Sequence, residues 1–312
     1  MEFLWIGLGV LGGLALLVLA ASFVCYRLAF YAPPRKPTPE GVIPVPEGPV
    51  YEPYRDLMTD WGKTVRQLPC RRFTMTSRDG LVLQGYYYEQ TPGATIELML
   101  HGYRGSTERD MGGAVIRSFA MGHNAFLVDQ RCAGKSQGRT ITFGIKEKWD
   151  CLDWLERIRA EFGPDQPVIL TGISMGAATV MLAAGEKLPE NVRGVLADCG
   201  YSSIRQIIQK VIRQLKLPAK LFYPLVRLGA LLFGHFDPEA DSPIAAMARC
   251  KVPVIFFHGQ KDDFVPWEMS KACFEACGSE KKQLVLMENA GHGLAYPAEP
   301  ERYLKALRDF FY

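Results

Sequence analysis

One short run restricts this chain more than any other: Thr171-Gly172-Ile173-Ser174-Met175-Gly176. The apolar Pro167-Val168-Ile169-Leu170 leads into it, and the small, helix-forming Ala177-Ala178-Thr179-Val180-Met181-Leu182-Ala183-Ala184 leads out. The pattern reads as strand, tight turn, helix. A turn this tight forces Ser174 into a strained backbone conformation, and a Cβ at Gly172 or Gly176 would collide with the facing strand or helix. It also pushes the Ser174 hydroxyl out at the carboxyl end of the strand. There the unpaired N–H groups of a helix start favour a developing negative charge. Taken alone, the run is also compatible with a glycine-rich turn whose serine merely caps a helix, and the rest of the chain decides between the two.

The segment before this domain constrains its setting. From Phe3 to Tyr26 no residue is charged, and Leu, Val, Ala and Gly dominate. Residues 3–26 are therefore expected to cross a membrane as a helix. A cleaved signal peptide fits poorly, since Met1-Glu2 offers no basic start and no small-residue cleavage site follows. Arg27, Arg35 and Lys36 all flank the carboxyl side, which places the bulk of the chain in the cytoplasm. Residues 32–53 hold eight of the chain's 21 prolines. They read as a semi-extended spacer reaching ~60 Å at most, at about 3.1 Å per residue.

Of the 312 residues, 48% are hydrophobic and 22% charged, enough apolar material for one large core. Once the anchor and part of the spacer are set aside, about 260 residues remain, a size that suits one α/β domain with an insertion. We place that domain at 54–312. A net charge of +3 is too small to argue for nucleic acid. The eight cysteines are scattered with no paired C-x-x-C, so they read as reduced core residues, and Cys273 with Cys277 lacks further metal ligands.

From Tyr54 to Leu68 a short helix is expected. Two strands, Arg72 to Thr76 and Leu81 to Tyr88, follow as a hairpin about Ser77-Arg78-Asp79-Gly80. Strand and helix then alternate. The strands are Thr95–His101, Ala125–Gln130, Val168–Thr171, Val192–Asp198, Val252–His258 and Gln283–Met287; the helices are Arg109–Met121, Lys146–Phe162, Met175–Glu186, Pro266–Cys277 and Glu299–Phe311. This predicts an α/β fold: a mostly parallel sheet with helices on both faces, whose ligands sit at the carboxyl ends of the strands.

A serine hydroxyl needs a general base. Of five histidines, His101 and His258 end strands and read as structural, His123 lies at the wrong end of the sheet, and His235 lies in the insertion. His292, in Asn289-Ala290-Gly291-His292-Gly293 after the last strand, is the expected base. It needs an acid to hold its tautomer. Asp262, in the loop after the strand ending at His258, is expected in that role, with adjacent Asp263 and the strand-end Asp198 as rivals. A tetrahedral intermediate needs two backbone donors: the Met175 N–H and one from His101-Gly102-Tyr103-Arg104-Gly105-Ser106.

These residues carry a resemblance. His101-Gly102-Tyr103, Asp129-Gln130-Arg131, the Ser174 turn, Asp262-x-x-Val265-Pro266 and Gly291-His292-Gly293 stand in the order seen in the α/β-hydrolase superfamily, from about Arg72 to the end. The chain looks most like membrane-anchored bacterial hydrolases related to prolyl-oligopeptidase-like and serine-aminopeptidase-like enzymes. The resemblance implies a Ser174–His292–Asp262 triad with Tyr103 and Met175 N–H groups as the oxyanion hole, and no metal or cofactor. It also departs from the family: Cys132-Ala133-Gly134 stands where relatives often carry a histidine.

Residues 202–243 occupy the usual place of a lid. Ser203 with Gln206 makes a capping signal, and Ile204, Ile207, Ile208, Val211, Ile212 and Leu215 keep helical spacing. From Ser203 to Phe236 there is no Asp or Glu but six basic residues, Arg205, Lys210, Arg213, Lys216, Lys220 and Arg227. The plain reading is a two-helix lid whose apolar side roofs the active site; the sharper one rests it on anionic lipid. Either way an apolar, small-molecule or lipid-like acyl substrate is expected. Carboxylic esters lead, with amides or peptides and thioesters behind, and a membrane-tethered, non-catalytic binding protein stands as the reading from another class.

Overall fold

The computed structural model describes residues 1–33 and 38–312. Arg35 and Lys36, counted above among the positive flanks, lie outside the described residues. Helix α1 (Glu2–Ala29) opens the chain. A 3-10 turn at Glu52–Tyr54 leads into α2 (Arg55–Gln67). β1 (Arg71–Thr76) and β2 (Val82–Tyr88) form the expected hairpin. Then come β3 (Ile96–Leu100), the single turn α3 (Thr107–Asp110), α4 (Gly112–Ala120), β4 (Asn124–Asp129) and α5 (Glu147–Phe162). β5 (Val168–Ile173), α6 (Met175–Ala184) and β6 (Val192–Asp198) make the centre. The insertion folds as α7 (Ile204–Gln214), α8 (Ala219–Gly229) and α9 (Pro243–Arg249). β7 (Val254–Gly259), α10 (Trp267–Ala276), β8 (Lys282–Met287), the short α11 (Ala295–Ala298) and α12 (Pro300–Phe311) complete the chain.

The eight strands lie in the order β1-β2-β4-β3-β5-β6-β7-β8. β2 is antiparallel to both its neighbours, and the other pairs are parallel. The order reverses at β3: β4 lies on one side of it and β5 on the other. That reversal opens a crevice at the carboxyl ends of β3 and β5, where a doubly wound sheet binds its ligands. Alternate strand residues feed two cores. Leu98, Leu170, Ala197 and Phe256 pack with Trp154, Ala177 and Met247 on one face. Ile169, Leu196, Ile255 and Phe257 pack with Tyr303 and Leu307 on the other.

Helix α1 does not simply hang from a spacer. Its last turns enter the domain, with Ser22, Tyr26 and Phe30 buried. Phe30 sits edge-on to Phe143 at 5.7 Å and Phe236 at 5.1 Å. The Ile141 N–H donates to the Phe30 carbonyl at 2.8 Å, and the hydroxyls of Tyr26 and Thr140 lie 2.7 Å apart. The described part of the proline-rich stretch also stays on the domain. Arg66 donates to the Val42 carbonyl at 2.8 Å, and Ile43 lies so close to Gly62 that a Cβ there would collide with it. The semi-extended spacer expected over residues 32–53 thus lies, in its described part, against the domain rather than apart from it. The apolar residues between the prolines have a surface to cover, and covering it outweighs extension.

The lid expectation also needs correcting. No residue of 202–243 lines the cavity that holds Ser174. The apolar side of α8 and of the π-helical turn Ala230–Gly234 that continues it packs on α1 instead: Gly229 lies against the Ser22 carbonyl, where a Cβ would overlap it, and Phe233 meets Phe23 at 5.1 Å. Two of the six cations are not free either, since Arg227 pairs with Asp237 and Glu239, and Arg205 with Glu239. Those acids follow the basic run in sequence and fold back onto it.

Candidate active site

β5 ends at Ile173, and the next residue turns the chain into α6. Ser174 adopts φ 57° and ψ −117°, outside the regions a side chain tolerates easily. The flanking glycines permit it: a Cβ on Gly172 would overlap the Gly176 carbonyl, and one on Gly176 the Leu100 carbonyl on β3. Ser174 caps nothing through its side chain, so the helix-cap reading of this serine is removed. Its Oγ lies 2.9 Å from His292 Nε2.

His292 follows β8 in a loop of small residues. Its other nitrogen, Nδ1, lies 2.6 Å from Asp262 Oδ2. A carboxylate there only accepts, so Nδ1 carries the proton and Nε2 is the lone pair facing Ser174. Asp262 is itself held on every side. Its Oδ1 accepts the Phe264 N–H at 2.9 Å and the Val265 N–H at 2.8 Å, and His258 Nε2 lies 3.2 Å from Oδ2. His258 Nε2 also faces the Val265 carbonyl at 2.9 Å, so it too carries its proton on that nitrogen. Burial works against the Asp262 charge, but the hydrogen bonds from His258 and His292 outweigh it and hold the carboxyl well below the usual range.

The two rival acids line the same cavity, but the His292 nitrogens face Asp262 and Ser174 instead. Asp263 is exposed at the cavity's edge, and its main-chain carbonyl, with that of Phe264, accepts from Lys210 of α7. Asp198 ends β6 beside Ile173 and takes the Tyr303 hydroxyl on Oδ2 at 3.0 Å. Burial pushes its carboxyl up to about 6. Cys199, Asp262 and His292 bring ligand-type atoms within 4.8 Å of one another. As a metal site the trio is poorly suited: burial pushes the Cys199 thiol well up, and both His292 nitrogens already have partners.

The pairing of Leu100 with Gly172 sets the loop after β3 beside the turn. A Cβ on Gly102 would lie 3.9 Å from Ser174 Oγ, in ordinary contact. Met175 follows the serine and Tyr103 follows Gly102 in the loop beside it, and neither backbone N–H has an acceptor among the described residues. The Tyr103 side chain points away, donating to the Ala29 carbonyl of α1 at 2.7 Å. His101 shapes this loop from below, with Nδ1 2.8 Å from the Gly102 carbonyl and Nε2 accepting the Gln130 N–H at 3.1 Å.

A cavity of about 430 Å³ opens at Ser174 and His292. It runs along the sheet face shared by Ile173 and Leu196, between α4 and the α11–α12 segment. Its cover was not foreseen: Pro44, Val50 and Tyr51 from the proline-rich stretch, with Met58 and Trp61 from α2. Trp61 stacks on Tyr296 at 5.4 Å. The available signal was the set of apolar residues, Val42, Ile43, Val45 and Val50, threaded among the prolines.

A family model described as the alpha/beta hydrolase fold matches residues 98–232. The Bacillus subtilis (strain 168) protein YqkD is 23% identical over 302 residues, 96% of this chain and 95% of its own. YfhR of Escherichia coli (strain K12) is 25% identical over 225 residues, 70% of this chain and 71% of its own. Among solved structures, the Pyrococcus furiosus esterase Pf2001 superposes with a TM-score of 0.67 at 20% identity, over 90% of this chain and 97% of that one.

Proposed function

The chain has the α/β-hydrolase fold, and we propose that within it the chain acts as a membrane-anchored serine hydrolase that cleaves carboxylic esters through an acyl-enzyme on Ser174. The observation that carries this reading is the continuous line of hydrogen bonds Ser174 Oγ–His292 Nε2 and His292 Nδ1–Asp262 Oδ2, at 2.9 and 2.6 Å. His292 takes the serine proton as Oγ attacks the acyl carbon, and Asp262 stabilises the imidazolium that results. The N–H groups of Met175 and Tyr103 hold the oxyanion. The imidazolium then gives its proton to the leaving alkoxide. In the second half His292 activates water, which releases the acid and restores the serine.

Esters are favoured over peptides by the cavity. It is covered by residues 44–51 and α2 and walled by Met58, Trp61, Ile173 and Leu196, which suits a small apolar acyl group better than a polypeptide. The structural neighbour Pf2001 is an esterase, which points the same way. For the anchor, the free part of α1, residues 2–21, is about 30 Å long at 1.5 Å per residue, one hydrocarbon thickness. The burial of Tyr26 and Phe30 in the catalytic domain argues for a retained anchor over a cleaved signal, since removal would strip the core. Arg27 at the inner end supports the cytoplasmic side.

A fluorophosphonate probe tests the chemistry. Wild-type protein should be labelled and hydrolyse short aryl esters, and Ser174→Ala should do neither. Equal labelling of Ser174→Ala would remove the assignment, and a wild-type chain inert to the probe and to every ester would favour the non-catalytic reading.

A further inference from the structure

Helix α8 is apolar on two sides. Ala219, Tyr223, Val226 and Gly229 form the side buried against the protein. The other side carries Leu221, Pro224 and Leu228, and the row runs on into Leu231 and Leu232 of the following turn, at the spacing of three and four that keeps residues on one side of a helix. All of these are exposed except Leu228, which is half-buried. Ahead of α8 every residue from 213 to 218 is exposed, Leu215 and Leu217 among them. Single surface leucines are ordinary, but a continuous row marks a surface that something covers.

Position and charge say what covers it. Phe233, next to Leu232, meets the exposed Phe23 of α1 edge-on at 5.1 Å, and Gly229 lies on the Ser22 backbone. The row therefore stands at the base of the free part of α1, residues 2–21. Arg213, Lys216 and Lys220 are exposed and have no carboxylate partner among the described residues, whereas Arg205 and Arg227 are paired and Lys210 is taken up by two carbonyls. Leucines rimmed by cations, with no acid from Ser203 to Phe236, are the composition of a helix that lies in a bilayer interface. A second copy docked face to face would bring the same three cations together and repel itself. An anionic lipid surface attracts them.

We propose that the outer side of α8 and the α7–α8 turn form a membrane-binding surface: the leucines enter the boundary between headgroups and acyl chains, and Arg213, Lys216 and Lys220 take anionic headgroups. The surface is separate from the ester chemistry, and it rests on the reading of α1 as a membrane span. With α1 crossing the bilayer and α8 lying on it, the catalytic domain is held at two places and cannot turn freely about the α1 axis.

Depth-dependent quenching on the full-length chain tests this. A polarity-sensitive fluorophore is attached at Leu221→Cys in a Cys25→Ala, Cys70→Ser background, which leaves only buried native thiols. The protein is reconstituted in vesicles of phosphatidylcholine alone, or of phosphatidylcholine and phosphatidylglycerol in equal parts, with quencher lipids labelled near the headgroup or deep in the acyl chain. In the anionic vesicles the Leu221 probe should shift to the blue and lose intensity to the shallow quencher, and the loss should be smaller in the neutral ones. A probe at Lys305→Cys, on α12 across the sheet, should show neither effect. Replacing Arg213, Lys216 and Lys220 together by Gln should remove the difference between the two compositions. An unquenched Leu221 probe in anionic vesicles overturns the surface, as does equal quenching in both compositions. Energy transfer between Leu221 probes on separate copies in dilute vesicles also overturns it, by putting a second copy on this face. A probe at Leu11→Cys separates this inference from the reading beneath it. If the deep quencher reaches Leu11 while Leu221 stays silent, the surface falls and the span stands; if both stay silent, the span falls and takes the surface with it.

Discussion

Ser174 stands at a positive φ that costs on the order of 1–3 kcal/mol, and the packing of Gly172 and Gly176 against backbone leaves it no alternative. The strain aims Oγ at His292 rather than back at α6. Beyond it, Asp262 is over-determined, with two backbone donors and two histidines around one carboxylate. Asp262→Asn keeps the shape but reverses the donor pattern that His292 Nδ1 requires. We therefore expect kcat on an aryl ester to fall by about 10³–10⁴, while Asp263→Asn leaves it near the wild-type value; an unimpaired Asp262→Asn enzyme would move the acid elsewhere. Asp198 makes a separate prediction. Its folded pKa is raised, from the usual 3.8 to about 6. Between those values the folded chain binds more protons than the unfolded one, so this group's contribution to stability is greatest at low pH and falls as pH rises through about 6. The full loss across that window is about 3 kcal/mol. The stability of Asp198→Asn relative to wild type should accordingly be higher at pH 7.5 than at pH 4, read by thermal unfolding in detergent. A pH-independent difference would mean that Asp198 is not held protonated by burial.

At the level of elements, strands and helices of the catalytic domain were legible because their signals are local. The period-two runs, the turn at Ser77–Gly80 and the apolar run before Ser174 each act within a few residues. The residues proposed as a triad stood out for a similar reason: each follows the carboxyl end of a strand, Ser174 within a glycine-framed turn and His292 between two glycines, while Asp262 had only its place after β7 to mark it. The cover of the cavity and the docking of α1 were not, because both depend on which distant surface an apolar segment meets. The apolar run Leu221 to Phe233, α8 and the turn that continues it, looks the same in sequence whether it roofs a serine or clasps another helix. Gly229 decided it, being the point where α8 can approach the Ser22 backbone. Gly229→Leu should separate α8 from α1 and lower stability by about 1–3 kcal/mol, the usual cost of overpacking. Phe30→Ala should cost more, about 3–5 kcal/mol, because that side chain is fully enclosed by Phe143 and Phe236. Thermal unfolding of the full-length variants reads both, and a Phe30→Ala chain as stable as wild type would mean that α1 is a tether and not part of the fold.

Over the whole molecule, helix α1, the insertion and the candidate site form one mechanical sequence. α1 is clasped by α8, α8 is joined to α7, and α7 reaches the loop after Asp262 through Lys210 and Gln214. Tyr103 and Arg104, next to the serine, bond the last carbonyls of α1. The orientation of the catalytic domain to a bilayer would thus be set by packing and not by a flexible leash, and the side of the membrane follows directly from the direction of α1. Cysteine chemistry can read that direction. Among the described residues Cys70 alone is an exposed thiol, six others being buried and Cys25 half-buried on α1. Cys70 precedes β1, far in sequence from the serine, so modifying it leaves the site alone. A membrane-impermeant maleimide applied to intact cells should leave Cys70 unlabelled, and labelling should appear once the membrane is permeabilised. Cys70→Ser should abolish that signal, which assigns it to this thiol. Strong labelling of Cys70 in intact cells would put the catalytic domain outside and overturn the orientation drawn from Arg27, while leaving the clasp between α1 and α8 untouched.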